Sequence, residues 1–307
     1  MLALAPMHEV TDTVFRRIIA SIQKPDVMMT EFVSVDGLCH ASSCEKIKKY
    51  YLTYDANERP LVAQLWGKEP ALFEQAARMV VQLGFDGVDV NMGCPDKRIV
   101  SFGGGAALIK NLSLAKEIIE ATKKGADTLP VSVKTRIGFD SVEESDAWIL
   151  GLIDAQPSAL TVHGRTKKEL SKKPVHWDII GRYAKEAIKK EIVYLGNGDV
   201  FSRADAIEKI EKYNLSGIMI GRGALGNPWI FSGKTPSLEE KLLTAKKHAL
   251  LFEQTFSGTK PFSHIMKHLH AYIAGFRGAK ALREQVMKAK NANEVSKYIQ
   301  NFLHDSR

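Results

Sequence analysis

The sequence predicts an α/β fold: a (β/α)₈ TIM barrel followed by a C-terminal all-helical domain. Short β-branched or apolar runs alternate with amphipathic helical stretches over residues 1–233, which is typical of a parallel sheet. These runs number eight, and eight strands favour a closed barrel over an open doubly wound sheet. From residue 234 onward only helical periodicity remains.

The barrel elements follow one another in a regular order. The predicted strands are Leu2–Ala5, Val27–Val33, Leu61–Trp66, Gly87–Asn91, Pro130–Thr135, Ala159–His163, Ile192–Gly196 and Gly217–Gly221. The amphipathic segments between them include Ala71–Leu83, Ser113–Lys124, Val142–Ala155 and Ser202–Glu211. An open nucleotide-binding sheet would place G-x-G-x-x-G directly after its first strand, where this chain has Pro6-Met7-His8.

The helical tail begins after a short linker, Gly233–Pro236, with Ser237 as the expected N-cap. Its predicted helices are Leu238–Phe256, Phe262–Ala274, Ala279–Ala289 and Glu294–Phe302. We therefore expect a catalytic barrel domain at residues 1–233 and a helical domain at residues 234–307.

The net charge of +8 is concentrated in this tail. Residues 234–307 hold 13 Lys and Arg against 6 Asp and Glu, whereas residues 1–233 hold 30 against 29. Such asymmetry indicates a basic module that faces a polyanion, although a solvated helical tail with surplus lysine would look the same.

Membrane and secreted classes are disfavoured by the sequence. It has no run of 18 apolar residues, and MLALAPMHEV lacks the basic start of a signal peptide. The cysteines are three in number and form no C-x-x-C pair, which favours a reducing compartment. We expect a cytoplasmic protein that does not bind membranes and is a monomer.

Polar or special residues stand at the carboxyl ends of almost all predicted strands, where (β/α)₈ barrels carry their active sites. They are Pro6, Met7, Gln64, Asn91, Cys94, Lys134, Arg136, His163, Arg165, Asn197, Gly198, Asp199, Gly221 and Arg222. A barrel interior that faces only other side chains would not need them, so the sequence predicts a site at this rim.

The last two strands end in the Gly-rich turns GNGDV and GRGALGNP. Barrels commonly bind phosphate in the loops after these two strands. Glycine has no side chain there to keep the phosphate away from the backbone N–H groups that bind it. Arg222 would add a charge-assisted contact. One phosphate site together with Lys134, Gln64 and His163 suits a mononucleotide such as FMN, although another phosphorylated ligand would satisfy the glycines equally well.

Cys94 lies just past the fourth strand in VNMGCPDK, where Gly93 and Pro95 would turn its thiol into the mouth of the barrel. An ordinary thiol has a pKa of about 8.5 and stays protonated near neutrality. It could therefore give a proton to a carbanion-like carbon formed by hydride addition. The alternative, a buried structural cysteine, is weaker at a strand end with polar neighbours.

His264 and His268 have the i, i+4 spacing of a zinc pair, but no third ligand is evident and we expect no metal. These histidines, beside Lys267, are expected to face phosphates or solvent.

Motifs over nearly the whole chain resemble those of the tRNA-dihydrouridine synthases. They are APM-x₄-TD (Ala5 to Asp12), QLWG (Gln64 to Gly67), DVNMGCP (Asp89 to Pro95), VKTRIG (Val133 to Gly138), TVHGRT (Thr161 to Thr166), GNGDV (Gly196 to Val200), GRGALGNPWIF (Gly221 to Phe231) and KHLHAYIAGFRGAKALR (Lys267 to Arg283). NMGCP and the tail motif are specific to that family, whereas QLWG, HGRT and the GRG loop occur in other flavin barrels.

The resemblance implies reduction of a flipped tRNA uridine to dihydrouridine. FMN, reduced by NADPH or NADH, would pass hydride to C6, and Cys94 would protonate C5. The implied flavin contacts are Pro6, Met7, Gln64, Lys134, His163, Asn197, Gly198, Asp199, Gly221 and Arg222. The implied substrate contacts are Asn91, Arg136, Arg165, Lys267, His268 and Arg277. The basic tail would grip the tRNA backbone, which makes binding salt-dependent.

The chain departs from the family pattern at two places. The loop Lys167–Asp178 reads KKELSKKPVHWD, where the family continues toward a Gln, a Tyr-x-Gly and Ala-Asp-Trp, and Met266 stands where a basic residue is common. The resemblance therefore fixes neither the contacts of this loop nor a phosphate contact at Met266.

Two other functions fit parts of the sequence. A small-molecule FMN barrel of the dihydroorotate dehydrogenase or old yellow enzyme type would share the flavin site but leave the basic tail unexplained. A non-catalytic RNA-binding protein on a barrel scaffold would explain the tail but leave Cys94 without a purpose.

Overall fold

The structure, a computed structural model, describes residues 1–305. Its strands are β1 (Leu2–Leu4), β2 (Val27–Met29), β3 (Val33–Ser34), β4 (Leu61–Trp66), β5 (Gly87–Met92), β6 (Val131–Gly138), β7 (Ala159–Thr166), β8 (Val193–Asn197) and β9 (Gly217–Ile220). All neighbours pair in parallel, in the order β2-β1-β9-β8-β7-β6-β5-β4-β3, and a β2–β4 pairing closes the ring. Since β2 and β3 both pair with β4, they are two parts of one barrel strand. The predicted eight-stranded TIM barrel is confirmed.

The second barrel strand is interrupted at residues 30–32, where a continuous strand is predicted. Thr30 accepts the backbone N–H of Gln64 through its hydroxyl oxygen at 3.1 Å, and that hydroxyl donates to the carbonyl of Glu31. The Thr30 hydroxyl thus replaces a backbone carbonyl as the partner of one N–H group in the pairing with β4. The interruption leaves Glu31 buried at the barrel rim.

Helices surround the barrel and bury their apolar faces against it. They are α1 (Thr13–Gln23), α2 (Val35–Cys39), α3 (Ala41–Tyr51), α4 (Pro70–Gln82), α5 (Lys97–Phe102), α6 (Leu112–Ala126), α7 (Ser145–Asp154), α8 (Trp177–Arg182), α9 (Ala184–Lys189) and α10 (Arg203–Lys212). The strands read as near-continuous apolar runs because a parallel sheet is covered on both faces. Val88, Val133 and Val162 are completely buried.

The C-terminal part is helical, as predicted. It contains α11 (Leu238–Phe256), α12 (Met266–Tyr272), α13 (Ala279–Val286) and α14 (Ala292–Asp305). Ser237 caps α11 in a capping box with Glu240, which satisfies otherwise unpaired N–H groups at the helix start. These helices share an apolar core that also includes Val14 of α1 and Trp229, so the helical part is packed onto the barrel. Among residues 1–305, no helix is both long enough and apolar enough to span a bilayer.

Candidate active site

The thiol of Cys94 is held by a hydrogen-bonded turn at the end of β5. The Asn91 side-chain oxygen accepts the backbone N–H groups of Gly93 and Cys94 at 3.1 and 2.9 Å. The Asn91 amide nitrogen donates to Gln64, whose own amide donates to the buried carboxyl of Asp89 at 2.7 Å. A chain of buried side chains therefore fixes the turn, with Asn91 at its centre.

A glycine packs directly behind Cys94. Gly105 has a φ of +57°, and a Cβ there would lie 2.9 Å from the Cys94 carbonyl oxygen and 3.1 Å from its Cβ. Only glycine fits so close an approach with this backbone conformation. Ala106 also donates its N–H to the Cys94 carbonyl at 3.0 Å. The backbone of Cys94 is therefore held by Asn91 before it and by Gly105 and Ala106 after it.

Burial keeps the Cys94 thiol in its acid form. Removal from water disfavours the thiolate and raises the pKa of Cys94 above its ordinary value, although the cations Arg136 and Lys134 partly oppose this. The half-buried thiol lines a large open cleft. A protonated sulfur at the edge of a cleft is suited to giving up a proton, rather than to attack as a thiolate.

A second cavity at the rim is lined by nine of the ten predicted cofactor residues. Its walls include Pro6, Met7, Lys134, His163, Asn197, Gly198, Asp199, Gly221 and Arg222. Gln64 is the exception: it is fully buried and does not line this cavity.

Asp199 joins two arginines at this cavity. Its carboxylate accepts from Arg165 and from Arg222, and the first of these contacts chiefly lowers the pKa of Asp199. The backbone of Asp199 has a φ of +45°, an unusual conformation for a residue with a side chain. Arg222 remains 54% exposed and can still reach an anion, whereas Arg165 is 2% exposed. Asp199 thus positions the guanidinium of Arg222 at the Gly-rich turn that follows β9.

Buried cationic and neutral groups meet at the floor of the cavity. Lys134 donates to the side-chain oxygen of Asn197 at 3.1 Å, and burial lowers the pKa of Lys134 to about 8. Burial and the nearby cations Arg136 and Lys134 hold the pKa of His163 well below its ordinary value, so its ring is neutral. Gly198 has a φ of +133°, and a Cβ there would lie 2.9 Å from a methyl carbon of Val175 and 3.1 Å from the His163 ring, so a side chain at this position would crowd both. The Nε2 atom of His163 is buried without a hydrogen-bond partner, which leaves it available to a ligand.

The thiol and the Gly-rich end of this cavity come from opposite sides of the barrel ring. Cys94 follows β5, and the Gly221–Gly223 turn follows β9, which is four barrel strands away in an eight-membered ring. The barrel mouth is therefore bordered by the thiol on one side and by the Gly-rich turn on the other.

The cleft beside Cys94 was not predicted from the sequence. It has a volume of about 1290 Å³ and is lined by the aromatic residues His8, Phe32, Tyr50, Tyr51, Trp66 and Phe102 and by the cations Lys46, Lys97, Arg98, Lys167 and Lys168. Aromatic rings among cations are typical of surfaces that bind single-stranded nucleic acid. The basic and aromatic run KRIVSF, directly after the Cys94 turn, is the sequence signal that could have revealed it.

Two of the predicted substrate contacts fall on buried side chains. His268 is 2% exposed and lies 4.5 Å from Phe15 and 4.6 Å from His248, ring centre to ring centre, so it faces the core rather than phosphate. Arg165 donates to Asp199 and to the carbonyl of Lys173, and its side chain is almost completely buried.

The other predicted substrate contacts differ in exposure. Arg136 is 7% exposed and ties the Cys94 turn to the β7 loop, donating to the carbonyls of Gly93 at 2.8 Å and of Thr166 at 3.1 Å. Lys267 is partly exposed and pairs with Glu9, and Arg277 is exposed. These last two remain reachable by a polyanion.

The unusual loop of residues 167–178 is an ordered part of the site. Arg136 donates to the carbonyl of Leu170 at 3.1 Å, Arg165 donates to that of Lys173 at 2.5 Å, and His176 bonds Glu169 at 2.9 Å. Its first two residues, both lysines, line the cleft beside Cys94. The departure from the family pattern therefore adds positive charge to the cleft wall.

This fold and rim site define an enzyme of the (β/α)₈ barrel class, and comparison with known proteins identifies the family. The family profile described as Dihydrouridine synthase (Dus) matches residues 3–306. A probable tRNA-dihydrouridine synthase of Staphylococcus aureus (strain MRSA252) is 35% identical and covers 97% of this chain and 92% of its own length. The probable tRNA-dihydrouridine synthase 2 of Bacillus subtilis (strain 168) is 36% identical, over 97% of this chain and 93% of its own. The chain belongs to the dihydrouridine synthase family.

Solved structures support the same fold. Morphinone reductase superposes with a TM-score of 0.52 at 11% identity, over 75% of this chain and 84% of its own. The old yellow enzyme homologue from Zymomonas mobilis gives a TM-score of 0.50 at 13% identity, over 77% and 89%. At such low identity the likeness concerns the barrel alone.

Proposed function

We propose that this chain reduces the C5=C6 bond of a uridine in tRNA to give 5,6-dihydrouridine. FMN is the cofactor, NADPH or NADH the electron donor, and Cys94 the proton donor to C5. The observation that carries the proposal is the placement of a protonated thiol and a Gly-rich turn suited to phosphate on opposite sides of one barrel mouth. The relatives named as tRNA-dihydrouridine synthases support the choice of substrate.

The cavity residues fit FMN. The Gly-rich turn and the exposed guanidinium of Arg222 suit its phosphate, and the unpartnered Nε2 of His163 offers a hydrogen bond to a ring heteroatom. Lys134 provides a buried positive charge for the electron-rich ring. When bound, FMN supplies a hydride equivalent to C6 of the uracil.

Cys94 then completes the addition at C5. Hydride at C6 leaves negative charge at C5 and O4, and the S–H proton moves to C5 while its bonding electrons remain on sulfur. Burial keeps the thiol protonated before the transfer. After the transfer, the positive charges of Arg136 and Lys134 stabilise the thiolate that remains. Solvent then reprotonates the sulfur for the next turnover.

The helical part supplies a basic surface for the tRNA backbone. Lys247, Arg277, Lys280, Lys288, Lys290 and Lys297 are all exposed. Because the target base lies in a stacked RNA, it must leave the stack to reach the thiol, and phosphate contacts elsewhere can offset part of that cost.

Purified flavin-loaded protein, NADPH and an unmodified tRNA transcript test the proposal. We expect mass spectrometry of the digested tRNA to show at least one uridine that has gained two hydrogen atoms. Free uridine and free uracil serve as the comparison, because a small-molecule flavin barrel would reduce these and ignore tRNA. Flavin reduction by NADPH with no change in tRNA mass would contradict the proposal.

The affinity for FMN is expected to depend on pH through Lys134. With a pKa of about 8, Lys134 is charged below that pH and loses its charge above it, so FMN should bind more weakly as the pH rises from 7 to 9.5. A charged hydrogen bond contributes about 1.5–3 kcal/mol. Because one group with a pKa of about 8 can change the affinity by at most about thirtyfold over this pH range, we expect a loss of about ten- to thirtyfold. Fluorescence titration of flavin-free protein measures the effect. Lys134→Met should bind weakly at every pH, and an unchanged pH dependence in that variant would exclude Lys134 as the cause.

A further inference from the structure

The cleft beside Cys94 is larger than the target base requires. Its volume of about 1290 Å³ exceeds the roughly 300–1,000 Å³ typical of a pocket for one small ligand. Five cations line it, and Asp96 is its only acidic lining residue among those described. The ligand of such a cleft is expected to be anionic and to extend beyond a single nucleoside.

One wall of the cleft is a fixed aromatic surface. Phe102 is 39% exposed, unusually open for a phenylalanine, and it meets Trp66 edge-on with ring centres 5.9 Å apart at 81°. The Lys68 ammonium lies 4.9 Å from the centre of the Phe102 ring. An exposed ring beside a cation is suited to stacking with a base and to attracting its phosphate.

The backbone holds this wall at a constant place relative to the thiol. Phe102 ends α5, and Gly103 follows in the left-handed conformation with a φ of +98°. A Cβ at Gly104 would lie 3.0 Å from the Gly67 carbonyl oxygen and 3.2 Å from the Trp66 ring, so the chain is pressed against β4. The next residue, Gly105, is the one packed behind Cys94. Gly104 thus holds the aromatic wall against the end of β4, and Gly105 holds the same short segment against Cys94.

We propose that Phe102 and Trp66 form a stacking subsite for an unpaired base adjacent to the target uridine in the RNA. Lys97 and Arg98, both exposed on the same helix, would contact the neighbouring phosphates. A base removed from the stack by uridine flipping regains stacking on the protein, which lowers the cost of flipping. This inference rests on the proposed reduction of a tRNA uridine and adds to it a recognition element for the sequence neighbour.

Phe102→Ala tests the subsite in the full-length, flavin-loaded protein. Because stacking on an aromatic ring contributes to ground-state binding, we expect KM for tRNA to rise about 5- to 150-fold while kcat at saturation is nearly unchanged. NADPH oxidation with a small-molecule electron acceptor should be unaffected. Leu150→Ala, which removes a 41% exposed side chain from α7 outside the cleft, is the matched control and should leave KM unchanged.

Substrates that lack one base separate stacking from a general disturbance of the cleft. RNA with an abasic ribose on the 5′ or the 3′ side of the target uridine should bind the wild type more weakly at one of these two positions. For that RNA, Phe102→Ala should cause no further loss. An unchanged KM in Phe102→Ala, or equal losses with intact and both abasic RNAs, would overturn the subsite. A wild type that makes no dihydrouridine would instead overturn the proposed function.

Discussion

Replacement of Cys94 by alanine is expected to slow dihydrouridine formation by about 100- to 10,000-fold, the usual contribution of a positioned general acid. The turn should remain intact, because Asn91 and Gly105 hold it through backbone atoms rather than through the thiol. The cavity proposed to bind FMN does not include Cys94, so flavin content and NADPH oxidation should be retained. Quantification of dihydrouridine beside the rate of NADPH oxidation measures both outcomes. Equal loss of the two activities would refute the role assigned to Cys94.

The pH dependence of the wild type provides an independent check on the acid. Burial raises the pKa of Cys94, so the protonated form persists beyond the ordinary thiol value of about 8.5. Single-turnover rates with pre-reduced, flavin-saturated enzyme should therefore stay level through neutral pH and fall only at higher alkaline pH, as the proton is lost. A rate that increases with pH over this range would indicate a thiolate mechanism instead.

Replacement of Lys260 by methionine is expected to destabilise the fold by about 3–5 kcal/mol, the effect of breaking a buried ion pair from one side. Lys260 belongs to the helical part and lies 3.4 Å from Glu31 at the barrel rim, with side-chain exposures of 4% and 1%. Its ammonium is also 4.2 Å from the centre of the Phe256 ring, and the carboxylate of Glu31 accepts the Glu9 backbone N–H at 2.6 Å. Without the cation, Glu31 would be a buried and uncompensated charge.

Thermal unfolding measures this loss. At about 2 °C per kcal/mol for a chain of this size, the midpoint should fall by about 6–10 °C. The double variant Glu31→Gln, Lys260→Met removes both charges and should recover much of the difference. Lys234→Met breaks an exposed pair with Glu240 and should change the midpoint by less than about 2 °C. If Lys260→Met behaves like Lys234→Met, the buried pair does not stabilise the joint between the helical part and the barrel.

The sequence was sufficient for the features that depend on local patterns. Strand Leu61–Trp66 and helix Leu238–Phe256 have the predicted bounds, because apolar periodicity and a capping serine are local signals. The position of Cys94 at the rim followed from strand order and one tight turn. The clustering of nine of the proposed cofactor residues around one cavity was predictable for the same reason: residues at the ends of neighbouring parallel strands must meet.

Features that depend on partners distant in the chain were missed. The burial of Arg165 and His268 could not be deduced, because a cation or histidine in a motif has the same sequence whether it faces RNA or the core. Glu31 and Lys260 are 229 residues apart, and no local pattern links them. The Phe102 wall lies in the run KRIVSF, whose mixture of basic and aromatic residues is a weak signal that also fits a solvent-exposed helix.

The stereochemistry of hydrogen addition tests most directly the claim that the thiol and the cofactor face opposite sides of one pyrimidine. In D₂O both the thiol and the reduced flavin exchange their protons, so turnover should place one deuterium on C5 and one on C6. NMR of the dihydrouridine released from the tRNA gives their relative configuration through the vicinal proton coupling. The arrangement of β5 and β9 across the ring predicts anti addition, with the two deuterium atoms on opposite faces. Syn addition, or an equal mixture, would contradict the geometry on which the mechanism depends.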